Sequence, residues 1–341
     1  MADAVNRCRA WEACGRGGGV DRGILPEEPI PRTSDVLVPL AGIGFKLLSV
    51  LAFTFMVTGV KVLGDSVPVG QIVFARAFFG LIPLVIMIQY QHTWSSALAT
   101  KRPLGHVGRA IIGASAMTLW FMALSRLPLP DATAISFAQP LITTALAVVI
   151  LGEVVRLYRW SAVIVGFVGV LIILSPNLGL VGTLEDETRS LGAMLALASA
   201  GFMALAQVYV RQLIKSESTT AVVFYFSAIT SVFALATLPF GWVMPDATTW
   251  ALLIGLGLLG GIGQILLTHS FRLAPASVVA PFDYTAMIFA LIVGYVLFDE
   301  VPGLAVLAGS VLVVGAGLFV IYREHQIGIS REAALKARTP S

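Results

Sequence analysis

The segment RLAPASVVAPFDYTAMIFALIVGYVLF, from Arg272 to Phe298, carries a single carboxylate, Asp283, with apolar residues reaching far on both sides. A carboxylate so placed can hold a proton, bind a cationic group of a ligand, or neutralise a basic side chain of another segment. Arg76, in GVKVLGDSVPVGQIVFARAFFG, is the base read at comparable depth and is the expected partner. Counted along ideal helices, the two lie about 7 Å apart across a core of about 30 Å, a gap that a long arginine or one water spans. Polar residues also flank two prolines inside apolar runs: Ser136 and Gln139 beside Pro140, Asp283 and Tyr284 beside Pro281. A proline leaves the carbonyl four residues earlier without its helical donor. Each proline therefore marks either a packing kink or a break that lines a cavity. Trp120 and Gln264 lie deep enough to join the candidate cavity residues, whereas Tyr209, Tyr225 and His269 read as residues of the span ends.

What must position these side chains follows from composition. Hydrophobic residues make up 57% of the chain and charged residues 12%, with a mean hydropathy of +0.89. A soluble globular domain runs near 25% charged. Apolar windows of about 20 residues, the length that crosses a bilayer as a helix, recur along nearly the whole chain after residue 37. The alternation of a transmembrane barrel is missing. The reading is an all-α polytopic membrane protein of ten spans: 40–62, 68–90, 105–126, 130–151, 158–175, 190–212, 219–243, 248–271, 276–298 and 302–322. Short connections such as SRLPLP and FDEVPG imply antiparallel neighbours in one bundle.

With ten spans both termini share a side. That side collects five arginines of the N-terminal tail, Lys101, Arg102, Arg109, Arg156, Arg159, Arg211, Lys215, Arg272 and four C-terminal bases, against Lys61, Arg126 and Arg189 opposite. The positive-inside rule puts both termini in the cytoplasm. The net charge of +3 is then a topology signal and not a nucleic-acid footprint. The stretch before the first span is polar and rich in Gly and Pro, reads as a disordered tail over 1–37, and holds both cysteines, Cys8 and Cys14. Two cysteines without histidine partners do not make a metal site.

The chain also repeats itself. Residues 127–174 and 273–321 share a plan: a Pro-marked turn, a span broken by one proline, a terminal glutamate (Glu153, Glu300), then a glycine-bearing span. Each copy holds five spans, and an odd number inverts the second copy relative to the first. The expected organisation is a tail at 1–37, a first repeat at 38–175, a second at 190–322 and a C-terminal tail at 323–341.

The stretches GVKVLGDSVPVGQIVFARAFFG, MALSRLPLPDATAISFAQPLITTALAVVILGE and GQILLTHSFRLAPASVVAPFDYTAMIFALIVGYVLFDEVP resemble the paired EamA domains of the drug/metabolite transporter superfamily over about residues 40 to 322. APASVVAPFDYT is similar to a bacterial subgroup that includes S-adenosylmethionine uptake proteins and riboflavin transporters. The resemblance implies two inverted five-helix repeats, no cofactor, and secondary transport of a small metabolite across the bacterial inner membrane. Riboflavin is the leading expectation, because a neutral polyhydroxylated aromatic suits a cavity of aromatic and amide side chains. S-adenosylmethionine or another amino-acid derivative is the alternative, and proton coupling through Asp283 is open.

Competing motifs weigh little. GLGLLGGIG, from Gly255 to Gly263, matches a G-x-G-x-x-G pattern but lies inside an apolar span, where close helix packing explains it. The same reading covers Gly166 to Gly169 and Gly309 to Gly317. Metalloprotease, Walker A and nucleophile-elbow patterns are missing, which disfavours an intramembrane enzyme.

Overall fold

The structure, a computed structural model, describes residues 33–338 apart from 65, 93, 152–156, 178–183 and 275. Contacts divide the chain into an N-terminal unit, Met1–Leu37, and a bundle unit, Val38–Ser341. Cys8, Cys14 and Glu153 lie outside the described residues. No strand occurs among those that are described. The helices are α1 (Thr33–Leu63), α2 (Val69–Tyr90), α3 (Trp94–Leu98), α4 (Pro103–Leu124), α5 (Leu129–Ser136), α6 (Ala138–Leu151), α7 (Leu157–Leu174), α8 (Leu184–Leu213), α9 (Thr219–Leu235), α10 (Ala247–Leu273), α11 (Ala276–Val279), α12 (Thr285–Phe298) and α13 (Leu304–Arg338). Eight segments are long and apolar enough to cross a membrane, and two shorter apolar helices, Trp160–Leu174 and Thr219–Leu235, fall where the fifth and seventh spans are expected.

Both proline breaks form, and their positions follow from the missing donor. Pro140 cannot bond the Ser136 carbonyl, and α5 ends at Ser136 before α6 resumes at Ala138. Around Pro281 the chain passes through a tighter 3-10 turn, Ala280–Tyr284, between α11 and α12. Most hydroxyls in the spans bond their own helix one turn back, as Thr54, Thr133, Thr143 and Ser310 do. In a bilayer such local bonding satisfies a polar group without help from a neighbour.

Small residues set the helix contacts. A Cβ added at Gly309 would lie 2.5 Å from the Gly169 carbonyl oxygen, so α7 and α13 touch backbone to backbone. Likewise a Cβ at Gly257 would lie 2.6 Å from the Ala75 oxygen and one at Gly261 2.5 Å from the Gly80 oxygen. The glycine run of α10 is thus the seam against α2, as its apolar setting implied.

The contacts also exchange the two halves of the chain. Ser49 of α1 donates to the Gly263 carbonyl of α10, and Ser199 of α8 donates to the Ala116 carbonyl of α4. Helix α2 packs on α10 as α9 packs on α4, while α2 with α9, α5 with α12 and α7 with α13 pair directly. This is the pattern of two copies related by a two-fold axis, with the self-paired helices lining the axis.

Candidate substrate site

Arg76 of α2 and Arg109 of α4 converge on one ring. Their guanidinium carbons lie 5.9 Å and 4.2 Å from the centre of Phe226 on α9. Glycines make the room. A Cβ at Gly113, one turn beyond Arg109, would overlap the Arg109 Nη1 and sit 2.7 Å from the Phe226 ring. A Cβ at Gly260 of α10 would lie 3.4 Å from the Arg76 Nε. Arg76 and Phe226 are separated along the chain by the same number of residues as Ser49 and Ser199, and Gly113 and Gly260 by the same number as Ala116 and Gly263. Arg76 on Gly260 and Phe226 on Gly113 are therefore equivalent contacts of the two halves, which meet at the pseudo-two-fold axis.

Both guanidinium groups lie against the one ring, so two cations share one neighbourhood. Among the described residues neither is paired with a carboxylate. Arg76 Nε and Arg109 Nε and Nη1 are sealed from solvent without a hydrogen-bond partner. A charge inside a bilayer costs about 2.5–3.5 kcal/mol on insertion scales. A ring face returns only about 0.5–2 kcal/mol, so the site retains an unmet demand for negative charge.

Asp283 does not meet that demand. Its Oδ1 lies 2.6 Å from the Nζ of Lys46 on α1, which corrects the expected pairing with Arg76. Along α1 the reason is visible. Gly260, against which Arg76 lies, is packed beside Met56, ten residues from Lys46 and so about 15 Å further along the helix. The second broken span includes a 3-10 turn at Asp283, which counting along a straight helix leaves out. Lys46 sits six residues into the apolar part of α1, and its side chain is only 3% exposed against 55% for Asp283. The Phe271 ring lies 5.3 Å from the same Nζ.

The remaining candidates divide. Tyr284 packs edge-on against Phe137, ring centres 5.2 Å apart, so the two helix breaks touch. Its hydroxyl lies over Gly317 of α13. Ser136 donates to the Thr133 carbonyl of its own helix. Trp120 packs against the main apolar core. Gln139 and Gln264 are half-buried, and their side-chain amides bond no other described residue. Glu300 is a fastener: Asp299 in the left-handed conformation (φ 54°) ends α12 and turns Glu300 back toward α5. There its Oε1 lies 2.9 Å from Lys61 Nζ and its Oε2 accepts from the Leu129 amide at 2.7 Å. At another point Glu217 accepts from the Lys101 amide and lies 3.5 Å from His106, both side chains 1% exposed. Sequence reasoning missed Arg109, Phe226, Lys46 and Glu217. In the sequence Arg109 reads as a flanking base, although it stands two turns inside α4.

The model of the EamA-like transporter family matches residues 40–175 and 190–323, and the chain belongs to that family. It is a multi-pass membrane protein and a small-molecule transporter of the drug/metabolite class. An S-adenosylmethionine uptake transporter of Rickettsia bellii is 33% identical over 84% of this chain and 94% of its own length. A pseudopaline exporter of Pseudomonas aeruginosa is 30% identical over 79% of this chain and 93% of its own. A riboflavin transporter of Vibrio cholerae is 29% identical over 70% of this chain and 79% of its own. One solved crystal structure superposes with a TM-score of 0.60 at 17% identity, covering 84% of this chain and 99% of that one, which bears on the fold alone.

Proposed function

We propose that the protein carries S-adenosylmethionine, or an amino-acid derivative of the same charge pattern, across the bacterial inner membrane. The observation that carries this reading is the pair of arginines at the axis between the two halves, without counter-charge among the described residues. Riboflavin suited a cavity without fixed charges, and fixed charges favour a substrate that bears its own. The greater coverage of the S-adenosylmethionine relatives supports the same choice. In the mechanism the repeats 38–175 and 190–322 rock about the axis and expose the site to one side at a time. Asp283, paired with Lys46 yet half exposed, is the group proposed to exchange a proton or meet a cationic moiety. In this reading both termini face the cytoplasm, which the distribution of basic residues supports.

Purified protein in proteoliposomes should take up labelled S-adenosylmethionine saturably, and excess unlabelled compound should compete where excess riboflavin does not. Saturable riboflavin uptake without S-adenosylmethionine uptake would reverse the assignment. Reporter fusions after residue 341 should be active only for a cytoplasmic reporter, and fusions within LVGTLEDETRS only for a periplasmic one.

A further inference from the structure

We infer that Arg76 and Arg109, both lying against the Phe226 ring, form the subsite that takes the substrate's carboxylate. This rests on the carrier reading above and names the group recognised there. A carboxylate is the simplest organic anion that can accept from guanidinium N–H donors and carry the opposite charge. The donors are present and unspent: Arg76 Nε, Arg109 Nε and Arg109 Nη1 lack partners.

Elsewhere in the bundle the buried charges are matched within the chain. Lys46 has Asp283, Lys61 has Glu300 and Glu217 has the Lys101 amide and His106. At the axis the protein supplies two cations and no described acid. Phe226 presents its ring to both guanidinium groups. Gly113 and Gly260 leave the space that the two arginine side chains occupy. Of four helices meeting there, α2 and α9 belong to opposite halves of the chain, as do α4 and α10. A carboxylate held at this site therefore binds where the halves move against each other, and its negative charge offsets the two cations there.

The test compares S-adenosylmethionine with its decarboxylated form, which keeps the sulfonium and the adenosine and lacks only the carboxylate. In proteoliposomes the wild type should prefer the carboxylate-bearing compound. Arg76→Gln and Arg109→Gln should each raise KM for it by roughly tenfold or more, the loss of one charge-assisted pair. Both variants should leave uptake of the decarboxylated compound within about twofold of wild type, and Arg109→Lys should restore part of the loss. Equal loss on both compounds would show that the arginines only hold the bundle together and would overturn the proposal, as would unchanged KM for S-adenosylmethionine. Should the glutamine variants not fold, Gly113→Ala, which displaces Arg109 without removing its charge, should show the same selective loss, and its failure to do so overturns the proposal. Uptake of neither compound by wild type would sink the S-adenosylmethionine reading instead. The arginine site is then judged by melting temperature with L-methionine against its methyl ester: stabilisation by the free acid alone, lost in Arg109→Gln, supports it, and equal or absent shifts refute it.

Discussion

Glu300→Gln is the substitution whose effect the structure specifies most closely. Lys61 Nζ lies 2.9 Å from Glu300 Oε1, donates to the Leu127 carbonyl at 2.5 Å, and is 13% exposed, with Glu300 at 16%. The amide puts a donor opposite the ammonium or gives up the Leu129 amide bond, and in either case strands a buried cation. Removing one partner of a fully buried pair costs about 3–5 kcal/mol. Residual exposure and the Leu127 carbonyl reduce this to about 2–3 kcal/mol here. Lys61→Met leaves Glu300 its bond to the Leu129 amide and should cost about 1–2 kcal/mol. The double variant strands no charge and should cost no more than the worse single one, a coupling of about 1–2 kcal/mol. Reversible unfolding in mixed micelles of wild type, both singles and the double measures this cycle. Singles that add to the double within about 0.5 kcal/mol would refute the idea that Lys61 and Glu300 act as one unit joining the halves.

Three further outcomes follow from the same contacts. Asp283→Asn should destabilise the protein by leaving the buried charge of Lys46 without its partner, and Lys46→Met with Asp283→Asn should recover much of the loss; recovery by Arg76→Gln instead would contradict the observed pairing. If Asp283 exchanges a proton, the double variant should also lose the pH dependence of uptake. Gly309→Ala places a methyl group 2.5 Å from the Gly169 oxygen and should lower stability by about 1–3 kcal/mol, measured by melting in detergent, with α7 and α13 forced apart. Glu217 is desolvated, which raises its pKa, yet the Lys101 amide and His106 outweigh this and hold it below its ordinary 4.5. Its contribution to stability is therefore complete above about pH 4.5 and is lost as pH falls through the lower folded value, so Glu217→Gln should flatten the acid limb of the melting profile.

The apolar length of each span, the proline breaks and the glycine seams were determined by sequence alone, because each follows from local chemistry: a bilayer demands about 20 apolar residues, proline lacks a donor, and only glycine lets backbones touch. Asp283 could be singled out in the same way, since a charge among apolar residues is conspicuous wherever it points. Its partner could not. Lys46, Arg76 and Arg109 all stand within apolar helices, and which of them meets an acid depends on rotation and level across helices far apart in the chain. Phe226 carries no polar signal at all and acquires its role from the two guanidinium groups folded onto it. Only the tertiary structure decided that Lys46 takes the carboxylate and that Arg76 and Arg109 are left with charge to spare, because pairing depends on distance across the bundle, whereas the sequence reports only distance along the chain.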